Sequence, residues 1–153
     1  TNTMHLVAGE VEKGIQIPLL HIADATAHEV RSRGAEQVGL LGTRFTMEKE
    51  FYRGKLVDDH ELSVLIPDAG DREIVHRVIY EELVQGIISG ESRDEFLAII
   101  DRLAARGAEG VILGCTEIGL LVKQQDLALP VFDTAEIHAR VAVEAALGEY
   151  PIM

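Results

Sequence analysis

The chain has 153 residues, of which 47% are hydrophobic and 26% are charged, and its formal net charge is −12 at pH 7. A chain of this length can bury one sizeable core or two small lobes that share a cleft, and it contains no apolar run long enough to span a bilayer. Phosphate binding needs clustered Lys and Arg, so the acidic balance argues against a nucleic-acid partner. A single cysteine cannot form an internal disulfide, which favours a location in the reducing cytoplasm.

The first half of the chain alternates helical patterns with short apolar runs. After the opening Thr1-Asn2-Thr3, the apolar residues Met4, Val7 and Val11 recur at helical spacing. The predicted elements that follow are a strand over 15–22, a helix over 23–33, a buried strand over 38–41, a turn at 42–43 and a helix over 47–58. Gly34 lies just past the first of these helices, where a glycine commonly ends a helix.

The second half continues the alternation and ends on a helix. The predicted elements are a strand over 62–66, helices over 72–83 and 92–106, a strand over 110–113, a helix over 118–122, a strand over 129–132 and a helix over 135–147. Strands that are continuous apolar runs and alternate with helices are typical of a parallel sheet covered on both faces. The sequence therefore predicts an α/β fold in which helices cover parallel sheets.

Small polar clusters follow several of the predicted strands. They are Gly42-Thr43, Gly114-Cys115-Thr116-Glu117 and Asp133-Thr134. Ligands of open parallel sheets bind at the carboxyl ends of the strands, so these clusters are candidates for a site. Thr1-Asn2-Thr3 would join them if a strand preceded it. Because the chain opens directly on this strand-to-helix junction, we expect the sequence to be a fragment of a longer polypeptide.

Cys115, the single cysteine, lies where a strand should end and a helix should begin. A thiol at such a junction faces unpaired backbone N–H groups and the positive end of the helix dipole, and both favour the thiolate. The sequence therefore predicts a lowered pKa for Cys115 and a role as a base. A lone cysteine can also be an inert, small hydrophobic residue, but the flanking Gly, Thr and Glu favour the functional interpretation.

Five segments occur in a fixed order along the chain. They are 1–5 (TNTMH), 17–22 (IPLLHI), 42–47 (GTRFTM), 114–117 (GCTE) and 133–134 (DT). Together they resemble the aspartate/glutamate racemase family. The resemblance implies an enzyme without a cofactor, two pseudo-symmetric α/β lobes with the site between them, and a homodimer. It places 24–122 in the central lobe and both 1–23 and 123–153 in the N-terminal lobe, which is incomplete because its opening strand and Gly-rich loop are absent.

The first motif departs from the usual family pattern. Typical members carry a cysteine there, whereas this chain has Thr1 and resembles the threonine-bearing racemases that are specific for L-aspartate and L-glutamate. The implied catalytic pair is Cys115, which removes the α-proton of the L enantiomer, and Thr1, which serves the opposite face. The residues implied to bind the small anionic substrate are Asn2, Thr3, Thr43, Thr46 and Thr116. No metal, nucleic-acid or membrane partner is implied.

Other interpretations stay open at this point. A chain that begins with Thr1 could be an N-terminal nucleophile hydrolase, although that class is built from stacked antiparallel sheets. It could be an inactive or ligand-binding fragment of a racemase, or a decarboxylase or hydantoin racemase that uses the same cysteine. Thr43 and Thr46 could simply cap the following helix. Glu117 could orient Cys115 or accept a hydrogen bond from the ammonium group of a substrate.

The histidines and two cations complete the list of candidates. The six histidines do not cluster at metal-ligand spacing, and His5, His21 and His138 are expected to hydrogen-bond backbone groups. A substrate with a side-chain carboxylate usually needs a basic partner. Arg44 and Lys13 are close to the motifs in sequence, but the sequence places neither of them in the cleft.

Overall fold

The structure is a computed structural model, and it describes residues 1–151. The chain begins with a 3-10 helix at Asn2–Val7 that leads into the α-helix α1 (Ala8–Gly14). The other α-helices are α2 (Ile22–Ser32), α3 (Arg44–Glu48), α4 (Glu50–Gly54), α5 (Ala69–Glu81), α6 (Gly90–Ala105), α7 (Ile118–Leu121) and α8 (Thr134–Ala146). The strands are β1 (Gln37–Leu41), β2 (Ser63–Leu65), β3 (Val111–Leu113) and β4 (Val131–Asp133). Within this range no helix has both the length and the apolar character needed to cross a bilayer.

The four strands form one parallel sheet in the order β2-β1-β3-β4. Gly39 of β1 pairs with Leu65 of β2 and with Val111 of β3, and Val111 pairs in turn with Val131 of β4. Parallel strands need crossover connections, and helices supply them here. The predicted α/β fold with a helix-covered parallel sheet is therefore confirmed. The division into two lobes and the incompleteness of the first lobe stay predictions; β4 lies in the same sheet as β1, β2 and β3.

The central strands are buried on both faces, because their side chains alternate between two apolar cores. Val38 and Leu40 of β1 belong to the core beneath α2, α4 and α8, whereas Leu41 belongs to the core beneath α5 and α6. Gly39 lies against α6, and a Cβ there would come within 2.9 Å of Leu103 Cδ1. The absence of a side chain at this position therefore lets α6 pack directly on β1.

The long helices form where the pattern predicts them. In α6, the Ser89 side chain accepts a hydrogen bond from the backbone N–H of Ser92 and caps the helix. Phe96, Ile99 and Leu103 lie on one face of α6 and are buried. Burial of this apolar stripe, rather than helix propensity alone, stabilises the helix on the sheet.

Two predicted elements are wrong. Residues 15–21 form no strand: the segment is irregular, Ile17 is 73% exposed, and Pro18 removes a backbone donor that a strand would need. The helix predicted over 47–58 begins earlier, at Arg44, and is interrupted at Lys49, whose φ of −92° and ψ of 146° are those of extended backbone. The apolar run at 15–20 therefore has the composition of a strand, but it pairs with no strand of the sheet.

Candidate active site

The site lies at the carboxyl edge of the sheet, where β1 and β3 end side by side. The backbone N–H of Gly114 donates to the Leu41 carbonyl at 2.6 Å. A Cβ on Gly114 would lie 2.9 Å from Leu41 O and 3.0 Å from Thr46 Cγ2, so a larger residue does not fit without displacement of the backbone. This close approach brings the loop 114–117 against the loop 42–43.

A chain of hydrogen bonds attaches the first residues of the protein to the same edge. Asn2 is 3% exposed, and its Nδ2 donates to Thr134 Oγ1 at 2.9 Å. Thr134, at the start of α8, donates to the Leu113 carbonyl at 2.8 Å. The Asp133 side chain caps α8 by accepting from the N–H of Ala135 at 2.9 Å. The end of β3, the start of α8 and the N-terminal segment are thus connected.

These contacts enclose a pocket of about 220 Å³. The residues that line it are Thr1, Asn2, Thr3, Thr43, Ile79, Tyr80, Val84, Gly114, Cys115, Thr116 and Glu117. Both predicted catalytic residues and four of the five predicted substrate-binding residues are among them. Segments from the start of the chain, the end of β1 and the end of β3 therefore converge on one space.

Thr46 is the predicted binding residue that the structure does not bring to this pocket. Its side chain is fully buried, its methyl group packs beneath Gly114, and its Oγ1 lies 3.4 Å from Thr43 Oγ1. Thr43, by contrast, lines the pocket and occupies the N-cap position of α3 without a side-chain capping bond. Thr46 therefore packs under the loop. The Thr43 hydroxyl does not cap the backbone of α3 and contacts this helix through Thr46 Oγ1.

Cys115 is part of a small hydrogen-bonded group with its neighbours. Its Sγ donates to Glu117 Oε2 at 2.9 Å, and Thr116 Oγ1 donates to the same carboxylate oxygen at 2.8 Å. Burial, and after it the hydrogen bond to the Glu117 carboxylate, raise the pKa of the Cys115 thiol to about 12, although the backbone N–H groups of Glu117 and Thr116 act in the opposite direction. The predicted lowering of this pKa is therefore wrong. The helix that follows, α7, has only four residues, so its dipole is too short to outweigh a carboxylate in contact with the sulfur.

The pKa of the Glu117 carboxyl is shifted in the opposite direction, downward. Burial opposes its ionisation, but the hydrogen bonds that it accepts from Cys115 and Thr116 outweigh this effect and lower the pKa of the Glu117 carboxyl. At neutral pH the pair therefore consists of a neutral thiol and a carboxylate. In the sequence, the signal for this contact is the position of Glu117 two residues after the cysteine.

We expect the Glu117→Gln variant to have a more acidic Cys115 thiol. The substitution removes the negative charge that disfavours the thiolate but keeps the size of the side chain. Alkylation by iodoacetamide at pH 8 should be about tenfold faster than in the wild type, which corresponds to roughly one pKa unit. Because Cys115 is the single cysteine, mass spectrometry reports on it without interference. An unchanged rate, measured alongside Glu149→Gln as a control on the surface, would show that Glu117 does not control the thiol.

The three histidines of interest bind backbone groups, as predicted. His21 Nδ1 accepts from the N–H of Ala23 at 3.1 Å and caps α2. His138 Nε2 lies 3.0 Å from the Leu20 carbonyl, and His5 lies between the Thr1 carbonyl and the N–H of Ile22. Within residues 1–151 no group of three or more His, Cys, Asp or Glu side chains is arranged to hold a metal ion.

Several residues of the pocket could not be found from the sequence. Ile79, Tyr80 and Val84 come from α5 and the turn after it, and they form an apolar wall. Their pattern in the sequence is that of an ordinary amphipathic helix, and nothing in it distinguishes a pocket wall from a core. Thr134 belonged to a polar cluster that the sequence did identify, but its contact with Asn2 depends on the tertiary fold.

The fold and the pocket together define a class of protein: an α/β protein that carries a thiol and several hydroxyl groups in a pocket at the carboxyl edge of a parallel sheet. The family model described as Asp/Glu/Hydantoin racemase matches residues 1–142, and the chain belongs to this family.

Relatives within the family agree with this assignment. A candidate Asp/Glu racemase from Yersinia pestis is 55% identical, and its structure superposes with a TM-score of 0.93 over 96% of this chain and 64% of that one. The structure of an aspartate racemase homologue from Pyrococcus horikoshii is 40% identical, with a TM-score of 0.87 and the same coverage. A broad-specificity amino-acid racemase from Bacillus subtilis is 20% identical over 96% of this chain and 63% of its own length. The chain thus spans slightly less than two thirds of each of these relatives.

Proposed function

We propose that the protein is a cofactor-independent amino-acid racemase that moves the α-proton of L-aspartate or L-glutamate, with Cys115 as the base and Thr1 on the opposite face of the substrate. The observation that carries the proposal is the convergence of Thr1 and Cys115, from distant parts of the chain, on one pocket. We include in the proposal the threonine-bearing branch, the two-lobe division at 24–122, the homodimer and the cytoplasmic location that the resemblance implies.

The chemistry requires two proton transfers on opposite faces of one carbon. The Cys115 thiolate takes the α-proton and becomes a thiol, which leaves a planar carbanion that is stabilised by its carboxylate. A proton from the Thr1 hydroxyl, relayed from water, then reaches the other face. The Asn2 amide and the hydroxyls of Thr3 and Thr43 can donate hydrogen bonds to the substrate carboxylate as its charge increases. Of the buried side-chain N and O atoms in residues 1–151, Asn2 Oδ1 alone has no partner, and it can accept from the α-ammonium.

The pKa of Cys115 defines what the substrate must contribute. With a pKa of about 12, roughly one thiol in 10⁴ is ionised at pH 8. A substrate ammonium group close to Cys115 and Glu117 would neutralise the carboxylate and stabilise the thiolate, which lowers the pKa in the complex. We therefore infer that the base forms when the amino acid binds, while the resting thiol is the form that can return a proton.

A second candidate substrate class follows from the lining of the pocket. Within residues 1–151, no Lys or Arg lines it: Arg44 pairs with Glu73, and Lys13 pairs with Glu10. Its apolar wall of Ile79, Tyr80 and Val84 suits an uncharged side chain. The same geometry would therefore serve racemisation of amino acids with apolar side chains.

Exchange of the α-proton in deuterated water tests both candidates. The protein is incubated with the L and D forms of aspartate, glutamate, leucine and methionine, and loss of the α-proton signal is followed by NMR. We expect exchange from L-aspartate or L-glutamate to be faster than from the D forms. Faster exchange with leucine or methionine would favour the second candidate. Equal deuterium incorporation from both enantiomers would contradict the different roles of Cys115 and Thr1, and no exchange from any of them would overturn the racemase proposal.

A further inference from the structure

We propose that His5 is a positioning residue for Thr1: its neutral ring bridges the Thr1 carbonyl and α2, and protonation of the ring breaks the contact with α2. This inference rests on the proposed function, because it assigns a role to a neighbour of Thr1 in that reaction. It concerns a residue that does not line the pocket and that touches no reacting atom.

The hydrogen bonds around His5 define its tautomer. The backbone N–H of Ile22 donates to His5 Nε2 at 3.2 Å, so this nitrogen carries no proton. The proton of the neutral ring is therefore on Nδ1, which lies 3.1 Å from the Thr1 carbonyl and donates to it. The imidazole thus connects the peptide group of Thr1 to the first residue of α2.

This connection adds a second attachment to the one through Asn2. Asn2 is anchored by its side chain on Thr134, but Thr1 itself is exposed. A side chain that serves one face of a substrate has to be held in a narrow range of positions, since a displacement of about 1 Å can cost about 10²-fold in rate. The His5 bond to the Thr1 carbonyl restricts the backbone that carries the hydroxyl.

The surroundings of His5 make its protonation state matter. Its ring lies edge-on to His21, with centroids 4.5 Å apart, and to His138, with centroids 5.7 Å apart. The other charged groups that act on this cluster are the α-amino group of Thr1, which faces His5, and Asp24 and Lys55, which face His21. His5 also lines a second pocket together with apolar side chains that include Met4, Val7 and Leu19.

A proton added to His5 has no acceptor. It would sit on Nε2, where the N–H of Ile22 points, and the two donors would repel each other. Burial lowers the pKa of His5 and lowers that of His21 to about 4, so both rings are neutral at pH 7. Acidification would therefore protonate His5 only by breaking its contact with α2. The Thr1 carbonyl would still be bound to Nδ1 of His5, but the ring would no longer fix it relative to α2.

Three variants separate positioning from folding. The terminal atoms of asparagine reach the position of His Nδ1, so His5→Asn keeps a donor for the Thr1 carbonyl. The terminal atoms of glutamine reach the position of Nε2, so His5→Gln keeps only an acceptor for the N–H of Ile22. His138→Gln is the matched control, because it alters the same cluster but can still donate to the Leu20 carbonyl. All three are compared with the wild type in α-proton exchange and in thermal unfolding.

We expect His5→Gln to lower kcat by about 10- to 100-fold with little change in KM, while His5→Asn recovers most of this loss and His138→Gln matches the wild type. The decrease in kcat on acidification should be weaker in His5→Asn, which has no ring to protonate. If the wild type exchanges the α-proton but Asn and Gln at position 5 lower kcat equally and in step with Tm, His5 is merely structural and the inference is overturned. If the wild type and all variants fail to exchange any amino acid, the proposed function fails and the inference fails with it.

Discussion

Replacement of Cys115 by serine should reduce α-proton exchange by at least about 10³-fold from L-aspartate or L-glutamate, because general-base catalysis typically contributes 10²- to 10⁴-fold. A serine hydroxyl is a far weaker acid than a thiol, so it supplies almost no base at neutral pH. It can still donate to Glu117 in the place of the thiol, which contacts that carboxylate at 2.9 Å. The measurement is the initial rate of α-proton loss in deuterated water for the wild type and the variant.

The serine variant should keep its fold, and this makes the result interpretable. Cys115 is only partly buried, and the substitution removes little volume, so Tm should change by no more than a few degrees. Alkylation of the wild type at this single cysteine should reproduce the loss of exchange, whereas the serine variant should be unaffected by the reagent. Retention of more than about a tenth of the wild-type rate by the folded variant would exclude Cys115 as the base.

Gly114→Ala should damage both the fold and the site. Its Cβ would lie 2.9 Å from the Leu41 carbonyl and 3.0 Å from Thr46 Cγ2, and neither group can move freely inside the core. We expect a loss of about 1–3 kcal/mol in the free energy of unfolding, the usual range for overpacking. Because relief of the contact would displace the Cys115 loop, exchange should fall by about 10²-fold.

Gly70→Ala provides a matched control for this prediction. Gly70 lies in the first turn of α5, and a Cβ there would meet nothing within 4 Å. Alanine is favoured over glycine in a helix, so this variant should be neutral or slightly more stable. Urea denaturation gives the free energy of unfolding for both variants. Equal stability of the two would show that the loops at the ends of β1 and β3 can separate without cost.

The parallel sheet could be predicted from the sequence, but the structure of some other segments could not. The strands β1 and β3 are short, continuous apolar runs followed by Gly and Thr, and that pattern specified both the parallel sheet and the edge where the site lies. The prediction of a strand over 15–22 was wrong. The segment has the apolar composition of a strand, but a strand also needs a neighbouring strand to pair with, and the local sequence does not show whether one is present. The interruption of the helix at Lys49 has no proline or glycine to signal it.

The site shows the same division between local and tertiary information. Short motifs predicted Thr1, Thr43 and Cys115 as site residues because each stands at an element boundary, and the structure brings all three to one pocket. The direction of the Cys115 pKa shift was predicted wrongly, because the prediction rested on the helix dipole and backbone N–H groups, whereas burial of the thiol and its contact with the Glu117 carboxylate raise the pKa. The position of Thr46 beneath Gly114 depends on how closely two loops approach, which is a property of the packed sheet alone.

The N-terminal segment has one more consequence for the behaviour of the protein. Residues 1–14 expose Met4, Leu6 and Val7 to solvent and hydrogen-bond to the rest of the described chain through the side chains of Asn2 and His5, whereas the sheet is enclosed by two cores. Such a weakly held unit can detach at a small fraction of the free energy that global unfolding requires. Gentle warming should then abolish the proposed α-proton exchange while far-ultraviolet circular dichroism still reports a folded molecule, and cooling should restore the exchange.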